Sequence, residues 1–187
     1  MEANFRQALK WVLQSEGGND DDPADHGGRT SRGITQREDN AYRHMAGLPL
    51  IDVWQEKQEI IEDIYHKSYW MPYCPTMPPG VDYIFFDCSV LSGPGRAVKD
   101  LQKALSHLGH DLHVDGHIGM VTSAALVQAA KYDLGKLIDA MSVARQDFYN
   151  AIVAHNPSQR KFIRGWSNRV HSARVNAHTL AVAHVTS

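Results

Sequence analysis

The sequence is short of the features that mark secreted, membrane-spanning or metal-built proteins. Only two of its 187 residues are cysteines, Cys74 and Cys88, and a reducing compartment favours two buried thiols over a disulfide. No stretch approaches the roughly 18 apolar residues of a membrane span. The opening M-E-A-N-F-R-Q-A-L-K-W lacks the charged-then-apolar pattern of a secretory leader, so folding in a cytoplasm is expected. Internal repeats and low-complexity segments are missing. Acidic side chains are missing after Asp147, whereas Arg160, Lys161, Arg164, Arg169 and Arg174 follow it. The last 40 residues therefore carry +5 and residues 1–147 carry -7, within a total of -2. That total shows no nucleic-acid footprint. The basic C-terminal stretch reads first as a solvated helix face and second as a surface for an anionic polymer or membrane.

What is present is helical periodicity. Phe5, Ala8, Leu9, Val12 and Leu13 define one apolar stripe on a first helix over residues 4–16. Trp54, Ile61, Ile64 and Tyr65 predict a helix over 52–68, followed by a proline-rich loop over 71–80. Ile84, Phe85, Cys88 and Leu91 mark a buried helix that Gly93-Pro94-Gly95 breaks; Val98, Leu101, Leu105 and Leu108 mark the next. A loop or small hairpin spans 109–119. Helices over 120–131 and 134–154, and a last one carrying Phe162, Trp166 and Val170, complete seven or eight helices. With a small β-hairpin after the first helix, the fold class is mainly α.

The stretch over residues 16–35, E-G-G-N-D-D-D-P-A-D-H-G-G-R-T-S-R-G-I-T, interrupts this regularity. Glu16 follows Val12 by four residues and Leu9 by seven, so it continues the apolar stripe rather than facing solvent. Partial burial and the negative end of the helix dipole both favour its protonated form, as a general acid working near neutral pH requires. Glycosidic cleavage needs one such acid and a second group that activates water or stabilises the cationic transition state. Asp25, nine residues on, is the candidate for that second group, with Asp22 as its rival; Thr30 can hold water or orient Asp25 through its hydroxyl. Both aspartates also suit turn capping. The acidic loop lacks the spacing and closing Glu of a calcium loop, so no metal is assigned to it.

E-G-G at 16–18, D-P-A-D-x-G-G-R-T at 22–30 and G-I-T at 33–35 closely resemble the signature of the glycoside hydrolase 108 family, the phage-type N-acetylmuramidases. The resemblance implies a lysozyme-like, mostly helical fold that hydrolyses the bond between N-acetylmuramic acid and N-acetylglucosamine in peptidoglycan. It places the family's catalytic glutamate on Glu16. The order Glu16, Asp25, Thr30 also looks like the Glu/Asp/Thr triad of phage lysozymes, with one residue fewer before the threonine. Tyr69-Trp70 and F-D-C-S-V-L-S-G at 86–93 match further blocks of the family; either aromatic ring can stack on a sugar, Tyr69 being the better candidate and core packing the alternative for Trp70. L-Q-K-A-L at 101–105, D-G-H-I-G-M-V-T at 115–122 and G-W-S-N-R-V at 165–170 resemble the peptidoglycan-binding module that usually follows. In that module Asp115-Gly116 is a turn and Thr122 an early helical or capping residue. The family commonly has an aromatic residue where Asn19 stands and an asparagine where Leu91 stands.

The resemblance therefore implies a catalytic region over 1–92 and a helical peptidoglycan-binding-like region over 93–187, packed as one lysozyme-like unit. A monomeric phage endolysin is expected, held in the host cytoplasm until a holin admits it to the wall, with no cofactor. Two alternatives stand beside it. One is a non-catalytic wall-binding module. The other is a zinc-dependent amidase built on His107, His110, His113 and His117, although no H-E-x-x-H motif is present.

Overall fold

Helix α1 (Glu2–Glu16) buries Phe5, Ala8, Leu9 and Val12, the stripe that its periodicity predicts. The computed structural model describes residues 2–16, 19–20 and 29–185. Among these, seven α-helices accompany one sheet of three two-residue strands. The mainly α class and the small β element after the first helix are both as expected. Two compact units can be drawn: Phe5–Pro72, and Tyr73 onward together with the first turn of the chain.

In the first unit, β1 (Asn19–Asp20), β2 (Thr30–Ser31) and β3 (Ile34–Thr35) form an antiparallel sheet in that order. Arg32 and Gly33 join β2 to β3 with φ of 51° and 81°, the paired positive angles of a tight hairpin turn. Thr35 then caps α2 (Gln36–Met45) through a capping box: its side chain accepts from the Glu38 N–H, and Glu38 accepts from the Thr35 N–H. No apolar stripe announces α2, because the two residues it buries are Asp39 and Arg43.

The single helix predicted over 52–68 is three pieces. Asp52 accepts from the Trp54 N–H at 3.0 Å and starts a 3₁₀ turn, Val53–Gln55. Glu56 is extended (φ -68°, ψ 138°), so α3 begins only at Gln58 and ends at Tyr65. A π-helical turn, His66–Trp70, follows, closed by the Met71 N–H donating to the His66 carbonyl at 2.8 Å.

The second unit is built around α4 (Val81–Ser92), which is buried on every side from Val81 to Ser89. Helices α5 (Pro94–His107), α6 (Met120–His155) and α7 (Ile163–Val185) each pack against it. The two helices predicted over 120–131 and 134–154 are the two arms of α6, broken at Asp133 (φ -160°, ψ 93°). Before α4, Gly80 has φ +89°, and a Cβ there would lie 2.5 Å from the Ala177 carbonyl. Only glycine permits that approach to the Ala173, Ala177 and Ala181 stripe of α7. Cys74 and Cys88 are buried thiols, as expected.

Charge in this unit is largely consumed internally. Asp87 of α4 meets Arg145 at 2.7 Å and Arg169 at 3.1 Å, and Arg174 pairs with Asp139 at 2.7 Å. Two of the five cations counted on a basic C-terminal face thus have acidic partners, and the exposed remainder is Arg160, Lys161 and Arg164. No described helix is long and apolar enough to cross a membrane. The compact units divide at 72/73, with α4 as the buried centre of the second unit.

Candidate active site

Glu16 is the last residue of α1, and its side chain lies outside the described residues. Asp22 and Asp25 also lie outside them. Thr30 is half-buried on the central strand β2, paired with Asp20 on one side and Thr35 on the other. Asn19 is three positions after Glu16, a span of at most about 11 Å between Cα atoms. Asn19 pairs with Ser31, the neighbour of Thr30, so the backbone carries Glu16 and Thr30 to one short stretch of the fold.

Residues 49–58 brace the hairpin that carries Thr30. The Trp54 indole N–H donates to the Thr30 carbonyl at 2.9 Å, and the Arg29 guanidinium lies 4.5 Å from the Trp54 ring centroid while pairing with Asp52. Arg32 donates to the Glu56 carbonyl at 2.6 Å and to Gln58 at 2.9 Å. The Tyr65 hydroxyl donates to the Arg32 carbonyl at 2.8 Å. Trp54, predicted as a helix residue, instead sits against the loop on its own turn, 38 % exposed. Sequence reasoning missed this brace because its members are separated by 23 to 33 positions and show no local pattern.

Behind the brace lies a buried cluster of Asp39, Glu56 and Arg43. Arg43 pairs with the Glu56 carboxylate and donates to the Pro49 carbonyl at 2.6 Å. No donor among the described residues reaches either Asp39 carboxyl oxygen. Its polar neighbour is the Glu56 carboxyl, and two carboxyls side by side are satisfied only when one carries a proton. Burial first, and then Glu56, push Asp39 up to about 6 against the lowering effect of Arg43. Burial alone would raise Glu56, but the Lys57 N–H, Asp39 and Arg43 outweigh it and hold Glu56 below its ordinary value. The proton of the pair therefore rests on Asp39.

The two aromatic candidates separate. Trp70 is 1 % exposed, its ring 5.4 Å from that of Phe5, so the expectation that it contacts sugar is corrected: a ring with no exposed face is a core side chain. Tyr69 is half-buried, and its hydroxyl donates to Glu38 of the capping box. The π turn sends these neighbours to different surroundings.

The zinc alternative is also corrected. Among the described residues no three His, Cys, Asp or Glu side chains converge on a point that could hold a metal. The D-G-H-I-G-M-V-T segment is instead fastened by one buried amide. Gln102 donates to Asp115 at 2.8 Å, to the His117 carbonyl at 3.0 Å and to Thr122 at 3.3 Å, and it accepts from the Gly116 N–H at 2.9 Å. Thr122 thus takes the structural role expected of it, and Asp115-Gly116 is the turn.

A helix ending on a glutamate, a braced hairpin carrying a threonine and a second, helical unit make a mainly α, lysozyme-like fold. The Glycosyl hydrolase 108 family matches residues 9–93, and the family described as Predicted Peptidoglycan domain matches residues 96–171. The structure of Brucella abortus SagA is similar over 97 % of this chain and 97 % of that one, at 30 % identity and a TM-score of 0.76. No curated protein sequence matches. The chain belongs to the glycosyl hydrolase 108 family and carries its peptidoglycan domain. It is a glycoside hydrolase of muramidase type acting on peptidoglycan. The two matched segments meet near residue 94, so α4 ends the hydrolase segment in sequence yet centres the second unit in space.

Proposed function

We propose that the chain cleaves the β-1,4 bond between N-acetylmuramic acid and N-acetylglucosamine, as the endolysin of a phage. Glu16 protonates the leaving oxygen, Asp25 serves as the second carboxylate with Asp22 beside it in the substrate loop, and Thr30 positions the attacking water. Tyr69 is the aromatic contact. The observation that supports this reading is the placement of Glu16 at the end of a buried helix, three residues before a strand paired with the Thr30 strand. Protonation and charge stabilisation by carboxyls suffice, so no cofactor is called for. In this reading the monomeric enzyme waits in the host cytoplasm and depends on a holin to reach the wall. Arg160, Lys161 and Arg164 are the cations available to an anionic surface.

Mass spectrometry of digested peptidoglycan tests the reaction. New reducing N-acetylmuramic acid ends, lost in Glu16→Gln, are expected; new free amino termini or anhydro sugars would overturn it. Asp25→Asn against Asp22→Asn assigns the second carboxylate. Expression with and without a holin tests the endolysin role, lysis being expected only with it.

A further inference from the structure

The second unit holds a cavity of about 470 Å³ remote in sequence from the catalytic loop and unused by the core. Two helix ends build it. Helix α5 stops at a glycine cap: Gly109 takes φ +92°, its N–H donates to the Ser106 carbonyl at 3.0 Å, and the His110 N–H donates to the Leu105 carbonyl at 3.1 Å. That cap sets His110 on the rim. Opposite it, α6 breaks at Asp133, whose carboxylate accepts from the Lys136 N–H at 2.9 Å and so caps the second arm. Tyr132, the last residue before the break, is left 87 % exposed, with no hydrogen-bond or ring partner among the described residues.

The lining has a consistent chemistry. Leu108 and Ala129 give an apolar floor, Tyr132 an amphipathic aromatic wall, and Gln128, His110, Lys136 and the Asp133 carboxylate polar groups around it. Ligand pockets commonly occupy about 300–1,000 Å³, mostly apolar with a few polar groups that fix orientation. An aromatic face over an apolar floor suits the C–H face of a pyranose, and an amide and an imidazole suit hydroxyl or acetamido groups. Lys136 supplies a cation for a carboxylate. Its contact with Asp133 is exposed and long, 3.5 Å, and such pairs hold little energy, so its remaining N–H donors stay available.

We infer that this cavity binds one N-acetylated sugar of the wall glycan together with a carboxylate of its peptide stem, holding the polymer at a second point. The cavity lies wholly inside the segment matched by the peptidoglycan domain. The inference rests on peptidoglycan being the substrate, and it assigns the second unit a defined site.

Titration of the full chain with soluble disaccharide-tetrapeptide from digested peptidoglycan, followed by ¹H–¹⁵N NMR, is the test. Shifts at residues 108–110 and 128–136 are expected. Tyr132→Ala and Lys136→Ala should each weaken binding at least tenfold while release of reducing ends from short soluble glycan strands stays unchanged. Circular dichroism checks that both variants fold, which exposure of the two side chains favours. Chitotetraose, with no carboxylate, should bind at least tenfold more weakly than the disaccharide-tetrapeptide; equal binding would overturn the carboxylate assignment. Shifts confined to residues 5–72, or wild-type binding by both variants, would overturn the site. The proposed bond cleavage fails by a different readout, the absence of reducing ends from wild-type protein.

Discussion

Helices α2 and α4 belong to the two different units and reach burial by opposite means. Nine consecutive residues of α4, Val81–Ser89, are buried, and Asp87 among them is met by two arginines. Helix α2 buries only Asp39 and Arg43, and the hairpin in front of it hangs on hydrogen bonds from Trp54, Arg32 and Tyr65. Long helices around a buried centre gain stability from apolar area, which accumulates with length. Short strands and turns have little such area and depend on directional bonds that fix geometry. The unit that carries residues 16–35 is therefore the one whose shape rests on directional bonds.

Asp87→Ala should give the largest stability loss, because it removes the carboxylate that Arg145 and Arg169 both meet and takes the anion from the buried Arg145. A cost of about 3–5 kcal/mol is expected by chemical denaturation. Hydrogen exchange should accelerate first in α4 and α7; equal acceleration in α2 would erase the contrast between the units. Glu16→Gln is next, removing the proposed general acid and lowering the rate at least about 100-fold, or about 2.7 kcal/mol, with stability nearly unchanged. Activity retained in that variant would place the chemistry elsewhere.

Asp39→Asn should act through pH. The folded value near 6 exceeds the unfolded one, so the unfolded chain loses this proton first. Its stabilising contribution is complete below about pH 4 and is lost as pH rises through about 6. The asparagine variant cannot ionise, so it should match the wild type near pH 4 and exceed it by on the order of 2 kcal/mol at pH 7.5. An effect of equal size at both pH values would show that Asp39 does not titrate. Smallest are Thr35→Ala and Trp54→Phe, each costing about 1 kcal/mol through the lost cap or the lost bond to Thr30. Faster amide exchange at residues 30–35 is the readout, and no change there would remove Trp54 from the brace.

Helices with an apolar stripe were legible in the sequence: α1, α4, α5 and both arms of α6 fall where their periodicity places them. Helix α2 was not delimited, since the residues it buries are charged and only the Thr35/Glu38 capping box marks its start. The helix read through Trp54 failed because Asp52 and the extended Glu56 interrupt it, and neither effect has a period. Of the candidate site, Glu16 and Thr30 were readable as residues, but the groups that hold the hairpin, Trp54, Arg32 and Tyr65, were not. Tyr69 and Trp70 are adjacent in sequence, and Tyr69, read as the better candidate for a sugar contact, is half-buried while Trp70 lies in the core.

The sequence by itself determined the helical class, the glutamate at the end of the first apolar stripe and the family, because each resides in local spacing. Tertiary structure alone decided that α4 centres the second unit, that Asp39 is buried beside Glu56 and that Tyr132 stands exposed over a cavity. Burial and proximity between residues distant along the chain exist only once the helices have packed, and they set which carboxyl keeps its proton and which ring meets solvent.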